Sequence, residues 1–289
     1  MNLFLRSIIR KAYLVIQITL SAVICGFLSY SYAVWQGFLA LIYPPHCLLC
    51  RTPIPDSGGL CKACWIELEV IQGHRCRRCG CPSTEEVEIC FNCSEKQYRF
   101  SQLFVLSPFN GSIQQMIHMF KYQGRSLPAR VLGERLGGEM VTNGFAGGDI
   151  VVVPVPLHSS RKRERGYNQS ALISQGISRV TGSRVFEDIL TRIRATETQT
   201  ALAAGERKAN VDEAFRVRRP HRIQHRVVLL VDDVVTTGST VNACADALFL
   251  SGAKDVLVAA ISSPFRSSKE DPKEEDGAYN RLDTNRVMP

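Results

Sequence analysis

The chain has 289 residues, 45% of them hydrophobic and 21% charged, which is enough for one ordinary domain plus a small module and excludes a chain disordered throughout. Its formal net charge of +8 is concentrated, because residues 158–226 hold 15 Lys/Arg against 7 Asp/Glu. Such a local excess suits an anionic ligand, either a small phosphate or a nucleic acid backbone, and its plainer alternative is a solvated basic face. Of the 11 cysteines, eight form four CxxC pairs within residues 47–93, which excludes a secreted disulfide framework and points to metal.

In chain order, no charged residue occurs between Ala12 and Pro45, and the run is long enough to span a bilayer. Residues 1–37 therefore form a separate apolar segment with three open readings: a membrane anchor, a signal peptide ending near "SYA", or an extension from a start codon placed too far upstream. Arg6, Arg10 and Lys11 would keep the N-terminus inside and send the rest outward. The thiol pairs that follow need a reducing compartment to stay free for metal. The expected location is therefore cytoplasmic, with any membrane association confined to residues 1–35.

Residues 38–98 form the cysteine module. Cys47/Cys50, Cys61/Cys64, Cys76/Cys79 and Cys90/Cys93 are separated by gaps of 10, 11 and 10 residues. Each CxxC aims two thiolates at one tetrahedral ion, so eight ligands imply two structural Zn²⁺ ions, paired either sequentially or interleaved. Gly80, directly after the third pair, supplies the permissive backbone that such knuckles use. His46 and His74 precede pairs and could substitute as ligands, but the thiolates already complete both sites. Cys25, Cys81 and Cys244 read as packing residues. A closed shell of four thiolates leaves no position for substrate, so the module is structural or a docking surface.

Residues 99–265 alternate strands and helices. "SQLFVLSPF" reads as a strand, and "GSIQQMIHMFKYQG" as a helix with Ile113, Met116, Ile117 and Phe120 on its apolar face. Another helix covers about 126–143. "DIVVVPVP" at 149–156 is a β-branched run of the kind buried in a parallel sheet. Helix 168–181, strand 227–231, helix 239–252 and strand 255–261 complete an α/β fold, a parallel sheet with helices on both faces. Residues 266–289, with the charge run "KEDPKEEDG", are expected to be a disordered tail.

In such sheets ligands bind beyond the C-terminal strand ends. Two of these ends are unusual: "VPVPLHSSRKRERGYNQ" and "VVLLVDDVVTTGST". In the second, Asp232 and Asp233 close a buried strand with side chains on opposite sides of the chain, so one can face a ligand while the other braces it or meets a metal. Carboxylates at that position accept hydrogen bonds from vicinal sugar hydroxyls. "TTGST" then turns into a helix, so its amides, hydroxyls and the positive end of the dipole converge on an anion. Together they describe a cradle for ribose 5-phosphate. No GxxxxGK[ST] motif occurs, which excludes a nucleoside triphosphate loop of that type.

"VLLVDDVVTTGST" resembles the phosphoribosyl pyrophosphate (PRPP) signature of type I phosphoribosyltransferases. With "VPVPLHSSRKRERGYNQ", "TRIRATETQTALAAGERKANVDEAF" and the four CxxC pairs, the chain resembles the ComF family, competence-associated bacterial proteins that join a double zinc ribbon to a phosphoribosyltransferase domain. The likeness covers about residues 38–265. It implies that Asp232 and Asp233 hold the ribose hydroxyls directly or through Mg²⁺, and that Thr236, Thr237, Gly238, Ser239 and Thr240 bind the 5-phosphate. It likewise implies a pyrophosphate loop of Pro156, Leu157 and His158, with Arg161, Arg163 and Arg165 supplying charge to the leaving group. The segment from Arg192 to Asn210, with Thr200 and Arg207, resembles a mobile flap. One departure is informative: enzymes of the hypoxanthine type carry an aspartate where this chain has Thr236, so a purine acceptor is not supported.

Two functions follow from the resemblance. The first is Mg²⁺-dependent phosphoribosyl transfer to an unassigned acceptor. The second is a binding module in DNA uptake, sensing PRPP or docking a competence helicase and single-stranded DNA. Few aromatics interleave the basic residues of 158–226, so no base-stacking groove is visible.

Overall fold

The computed structural model describes residues 44–55, 59–85, 87–193 and 214–264. The apolar N-terminal segment, the tail from 266 and most of the flap, including Thr200, Arg207 and Asn210, lie outside them. The chain divides into two compact units, Met1–Cys61 and Lys62–Pro289.

In the first unit, Cys47 N–H donates to Thr52 O (2.8 Å) and Ile54 N–H to Pro45 O (2.8 Å), closing a small hairpin-like knuckle around the first CxxC. Arg51, directly after that pair, has φ 65°.

The second unit begins with helix α1 (Lys62–Glu67) and the one-turn helix α2 (Phe91–Ser94), which flank its own thiol knuckle. Strand β1 (Gln102–Pro108) follows, then α3 (Gly111–Tyr122) and α4 (Leu127–Thr142). Next come β2 (Val151–Pro154), the short helix α5 (Ser159–Arg165) and α6 (Gln169–Thr181). The chain continues through β3 (Arg184–Val185), β4 (Leu190–Arg192) and β5 (Phe215–Val217), and ends with β6 (Val227–Val234), α7 (Ser239–Leu250) and β7 (Asp255–Ser263).

Strands β1, β7, β6, β2 and β3 form one sheet in that order, and every neighbouring pair is parallel. β4 and β5 pair antiparallel in a separate two-stranded sheet. Alternation along β6 sends Val228 and Leu230 to one face, where they join Val105, Val153, Val258 and the α7 residues Val241, Cys244 and Leu248 in one buried cluster. Leu229 and Val231, also fully buried, face the other layer, made by α3, α4 and α6. Helices thus cover both faces, as the strand and helix alternation predicts.

The helix signals are local and chemical. Asn110 caps α3 by accepting from Ile113 N–H at 3.3 Å, and Asn168 caps α6 by accepting from Ser170 N–H at 3.1 Å. The apolar face of α3, Ile113, Met116, Ile117 and Phe120, is buried as its spacing predicts. Helices α4 and α6 approach through small residues: a Cβ on Gly133 would run into Ile173 O, and one on Gly176 into Arg130 O. Backbones this close leave no room for a methyl group.

The second thiol knuckle is built onto the sheet. Leu103 N–H donates to Arg77 O (3.0 Å) and Ile71 N–H to Leu106 O (2.9 Å). Arg75 donates from its guanidinium to Val105 O (3.3 Å) and Ile71 O (3.0 Å).

Candidate functional site

The site is assembled where β2 and β6 end. Pro154 pairs with Val231, and Val155 N–H donates to Val231 O at 2.8 Å, so the loop leaving β2 starts beside the aspartate pair. Val235 N–H donates to Ser262 O (3.0 Å), and Ser263 Oγ donates to Val235 O (2.7 Å). The strand end is therefore fixed from both neighbours.

The two carboxylates have different environments. Asp233 is 6% exposed. Its Oδ1 lies 3.2 Å from Lys121 Nζ and its Oδ2 accepts from Gln169 Nε2 at 2.9 Å, so α3 and α6 each hold one oxygen. Asp232 is only partly exposed at the rim. Its Oδ1 accepts from Asp233 N–H (2.9 Å) and Ser170 Oγ (3.2 Å). Burial, then the neighbouring Asp233 charge, push its pKa up to about 7, against the opposing pull of that amide, Lys121 and Ser170. Asp233 is thus the bracing carboxylate and Asp232 the one turned to the rim. Gln169 Oε1 is buried and has no hydrogen-bond partner among the described residues. The carboxylate oxygens of Asp232 are hard donors of the kind that Mg²⁺ prefers.

After β6, Thr236 and Thr237 are exposed and Gly238 caps α7 with φ 80°. Thr237 Oγ1 accepts from Ser239 N–H (3.4 Å) and donates to Ser239 Oγ (3.2 Å). A left-handed glycine at this point turns the chain so that successive amides at the start of a 12-residue helix converge outward. Gly238 has a second reason to lack a side chain: a Cβ there would lie 3.0 Å from Tyr98 Cε1.

The loop after β2 contains Pro156, Leu157 and His158, and the residues after it form helix α5 (Ser159–Arg165). His158 starts α5, its Nδ1 accepting from Ser160 N–H (3.4 Å) and lying 2.7 Å from Ser160 Oγ. Arg161 and Arg163 lie on α5 and are exposed. The Arg165 guanidinium lies over the Tyr122 ring, 5.4 Å from its centroid. Asn168 Nδ2 donates to Val155 O (3.0 Å) and Tyr167 Oη to Phe120 O (2.7 Å), which ties down the far end of the loop.

Arg192, placed by sequence at the start of the flap, is on β4 with its guanidinium 5.5 Å from the Phe215 ring centroid. Burial and then Arg161 lower its pKa, while Cys244 and Asp232 raise it. The small β4–β5 sheet therefore brings a cation into range of Asp232. Sequence reasoning missed Lys121, Gln169 and Ser170. The available signal was polar residues on or beside apolar helix faces: Gln169 and Ser170 are 3% and 1% exposed.

The cysteines group sequentially: Cys47, Cys50, Cys61 and Cys64 have their sulfurs within 4.8 Å of one another, as do Cys76, Cys79, Cys90 and Cys93. Neither His46 nor His74 joins a group. In the second group, burial and then the neighbouring thiols push Cys79 up, and burial pushes Cys93 up to about 12. Four thiolates coexist there only if a cation balances them, so the donor set fits Zn²⁺. Gly80 (φ 74°) occupies the turn after the Cys76/Cys79 pair that Arg51 occupies after the first, as the sequence predicts for Gly80. Cys244 is fully buried in the core.

A parallel α/β domain with paired carboxylates and a phosphate-type turn at one strand end, preceded by thiolate knuckles, defines a narrow class. Residues 38–94 match the double zinc ribbon domain family. The chain is 36% identical over 223 residues to the DNA utilization protein YhgH of Escherichia coli K12, covering 75% of this chain and 96% of that protein. It is 29% identical over 219 residues to Competence protein F of Haemophilus influenzae, covering 74% and 94%. Among solved structures it is similar to a hypoxanthine-guanine phosphoribosyltransferase of Bacillus anthracis, at 15% identity and TM-score 0.32, covering 52% and 78%. The chain belongs to the ComF family of competence and DNA utilization proteins. Among the described residues, no helix is long and apolar enough to cross a membrane.

Proposed function

We propose that the chain binds PRPP together with Mg²⁺ at the C-terminal ends of β2 and β6 and transfers the phosphoribosyl group to an acceptor, in a process linked to DNA uptake. The observation that carries this reading is the juxtaposition, on one strand-to-helix turn, of a rim carboxylate braced by a second one and a left-handed glycine that aims helix-start amides outward. The 5-phosphate would sit over Thr236–Thr240. Asp232 would accept from the ribose hydroxyls while Lys121 and Gln169 keep Asp233 fixed behind it. Arg161, Arg163 and Arg165 would face the pyrophosphate from α5. Mg²⁺, held by Asp232 and the ligand's own oxygens, would offset charge on the leaving group. Transfer breaks the bond from C1 to the pyrophosphate oxygen, whose electron pair leaves with pyrophosphate, and forms a bond from the acceptor to C1. Prepositioned cations favour that charge separation, and enclosure excludes water as a competing acceptor. Thr236 offers no carboxylate to a purine, so a purine acceptor is not supported.

Calorimetric titration with PRPP, with and without Mg²⁺, tests the reading. Mg²⁺-dependent binding that is lost in Asp232→Asn supports it; no binding to the zinc-loaded protein sinks it.

The names of the relatives, with exposed Arg216, Arg218 and Arg219, favour a second reading in which the chain is a non-catalytic adaptor for single-stranded DNA or a competence helicase. Backbone contacts by those arginines would make DNA affinity fall steeply with salt; a flat dependence counts against them.

A further inference from the structure

Between the last zinc-type cysteine and β1 runs a short connector, residues 95–101, which lies along α7 from its start. Tyr98 comes first: its ring packs against the backbone of Gly238, within 3.0 Å of where a Cβ would stand. Arg99 follows, its N–H donating to Asn242 Oδ1 (3.0 Å) and its Nε to Asp246 Oδ1 (2.5 Å), two residues one helical turn apart. Ser101 then donates from N–H to Val256 O (2.9 Å) and from Oγ to Asp255 Oδ2 (2.8 Å). At its other end the connector is continuous with the second thiol knuckle. Lys96 N–H donates to Cys93 O (3.2 Å), the Arg78 guanidinium donates to Phe100 O, and Phe100 carries the Tyr98 ring at a centroid distance of 4.9 Å.

We propose that Tyr98 is a positioning residue that couples the Cys76/Cys79/Cys90/Cys93 metal site to the phosphate turn, so that zinc at this site and a phosphoribosyl ligand at the turn strengthen each other's binding. The inference rests on the reading of that turn as a 5-phosphate site. A left-handed glycine has many alternative conformations, and the aromatic ring against its backbone removes them before ligand arrives, which is how preorganisation raises affinity. The ring is itself held by the knuckle that the metal closes. Coupling of this kind is reciprocal by thermodynamic necessity, so it has a signature that a merely structural tyrosine lacks: ligand must raise the affinity for zinc.

The experiment uses the full zinc-loaded chain. Zinc affinity is measured by equilibrium competition with a colorimetric chelator, with and without PRPP and Mg²⁺, and PRPP affinity is measured for wild type, Tyr98→Phe and Tyr98→Ala. The expected result is that ligand raises the affinity for one of the two zinc ions about 5-fold or more in wild type and leaves it unchanged in Tyr98→Ala, the usual range for coupled sites. Tyr98→Phe, which keeps the ring, stays within about 2-fold of wild-type affinity, and Tyr98→Ala loses about 10-fold. Should wild type bind PRPP and hold zinc with the same affinity with and without it, the coupling is wrong even though the ligand site stands; that measurement needs no variant and so holds if Tyr98→Ala fails to fold. Equal PRPP affinity in a folded Tyr98→Ala overturns it as well. A zinc-loaded wild type that takes no PRPP removes the phosphoribosyl reading and this inference with it.

Discussion

Asp232 and Asp233 are adjacent in sequence, yet the fold treats them oppositely, because alternation along β6 turns Asp233 toward Lys121 and Gln169 and leaves Asp232 near the rim with one carboxyl oxygen accepting from Ser170 and a backbone amide. The consequence is a pH-dependent cost. The Asp232 carboxyl titrates at about 7 in the folded chain instead of at its ordinary value of 3.8. Between those two pH values the folded chain holds a proton that the unfolded chain has released, so stability falls as pH rises through the window. Asp232→Asn should therefore be more stable than wild type above pH 7, on the order of 1–2 kcal/mol, with the difference vanishing below about pH 4. Denaturant unfolding at pH 4, 6 and 8 checks this; a pH-independent difference would count against the assigned titration. The same substitution should abolish PRPP binding, stability gained where function is lost.

At the scale of elements, the turn from β6 into α7 was legible because every part of it is consecutive: a buried run, two acids, small hydroxyl residues and a glycine. Lys121, Gln169 and Ser170 were not, since Gln169 lies 64 residues from the carboxylate it holds and only the sheet brings α3 and α6 to that rim. β4, β5 and α5 escaped for another reason. Strands of three residues and a helix of seven are too short to show a period, and their positions are set by what they pack against. Gly238 shows what the legible part demands. Gly238→Ala puts a Cβ into a left-handed backbone and against the Tyr98 ring, which should cost about 1–3 kcal/mol and weaken phosphate binding more than it lowers the melting temperature. Thermal unfolding beside a phosphate or PRPP titration separates the two effects.

Over the whole molecule, metal and fold meet at the second knuckle. The second knuckle shares hydrogen bonds with β1 through Arg75, Arg77 and Ile71, all inside the larger compact unit. Chelation of zinc should therefore lower the unfolding midpoint of the sheet domain itself, since metal binding free energy is folding free energy wherever the site is unformed in the unfolded chain. Differential scanning calorimetry of the metal-loaded and stripped chain reads this directly; a sheet-domain transition that does not move would show the knuckle to be a passive appendage. Cysteine spacing announced the ligands, but nothing in it revealed that the second knuckle would lean on the sheet, because that depends on Val105 and Leu103 meeting Gly80 across the fold.

The close seam between α4 and α6 gives a sequence change remote from the rim a way to reach it. Helix α6 begins with the two side chains that grip the aspartates, Gln169 and Ser170, and its depth against α4 is fixed by Gly133 and Gly176. A single methyl group at Gly176 would lift α6 away from Arg130 O and carry Gln169 and Ser170 with it, so Gly176→Ala should weaken PRPP binding about 10-fold or more as well as destabilising the domain. The two glycines act as a depth gauge for the site, and variation at this seam in relatives would tune ligand affinity without altering any residue that touches the ligand.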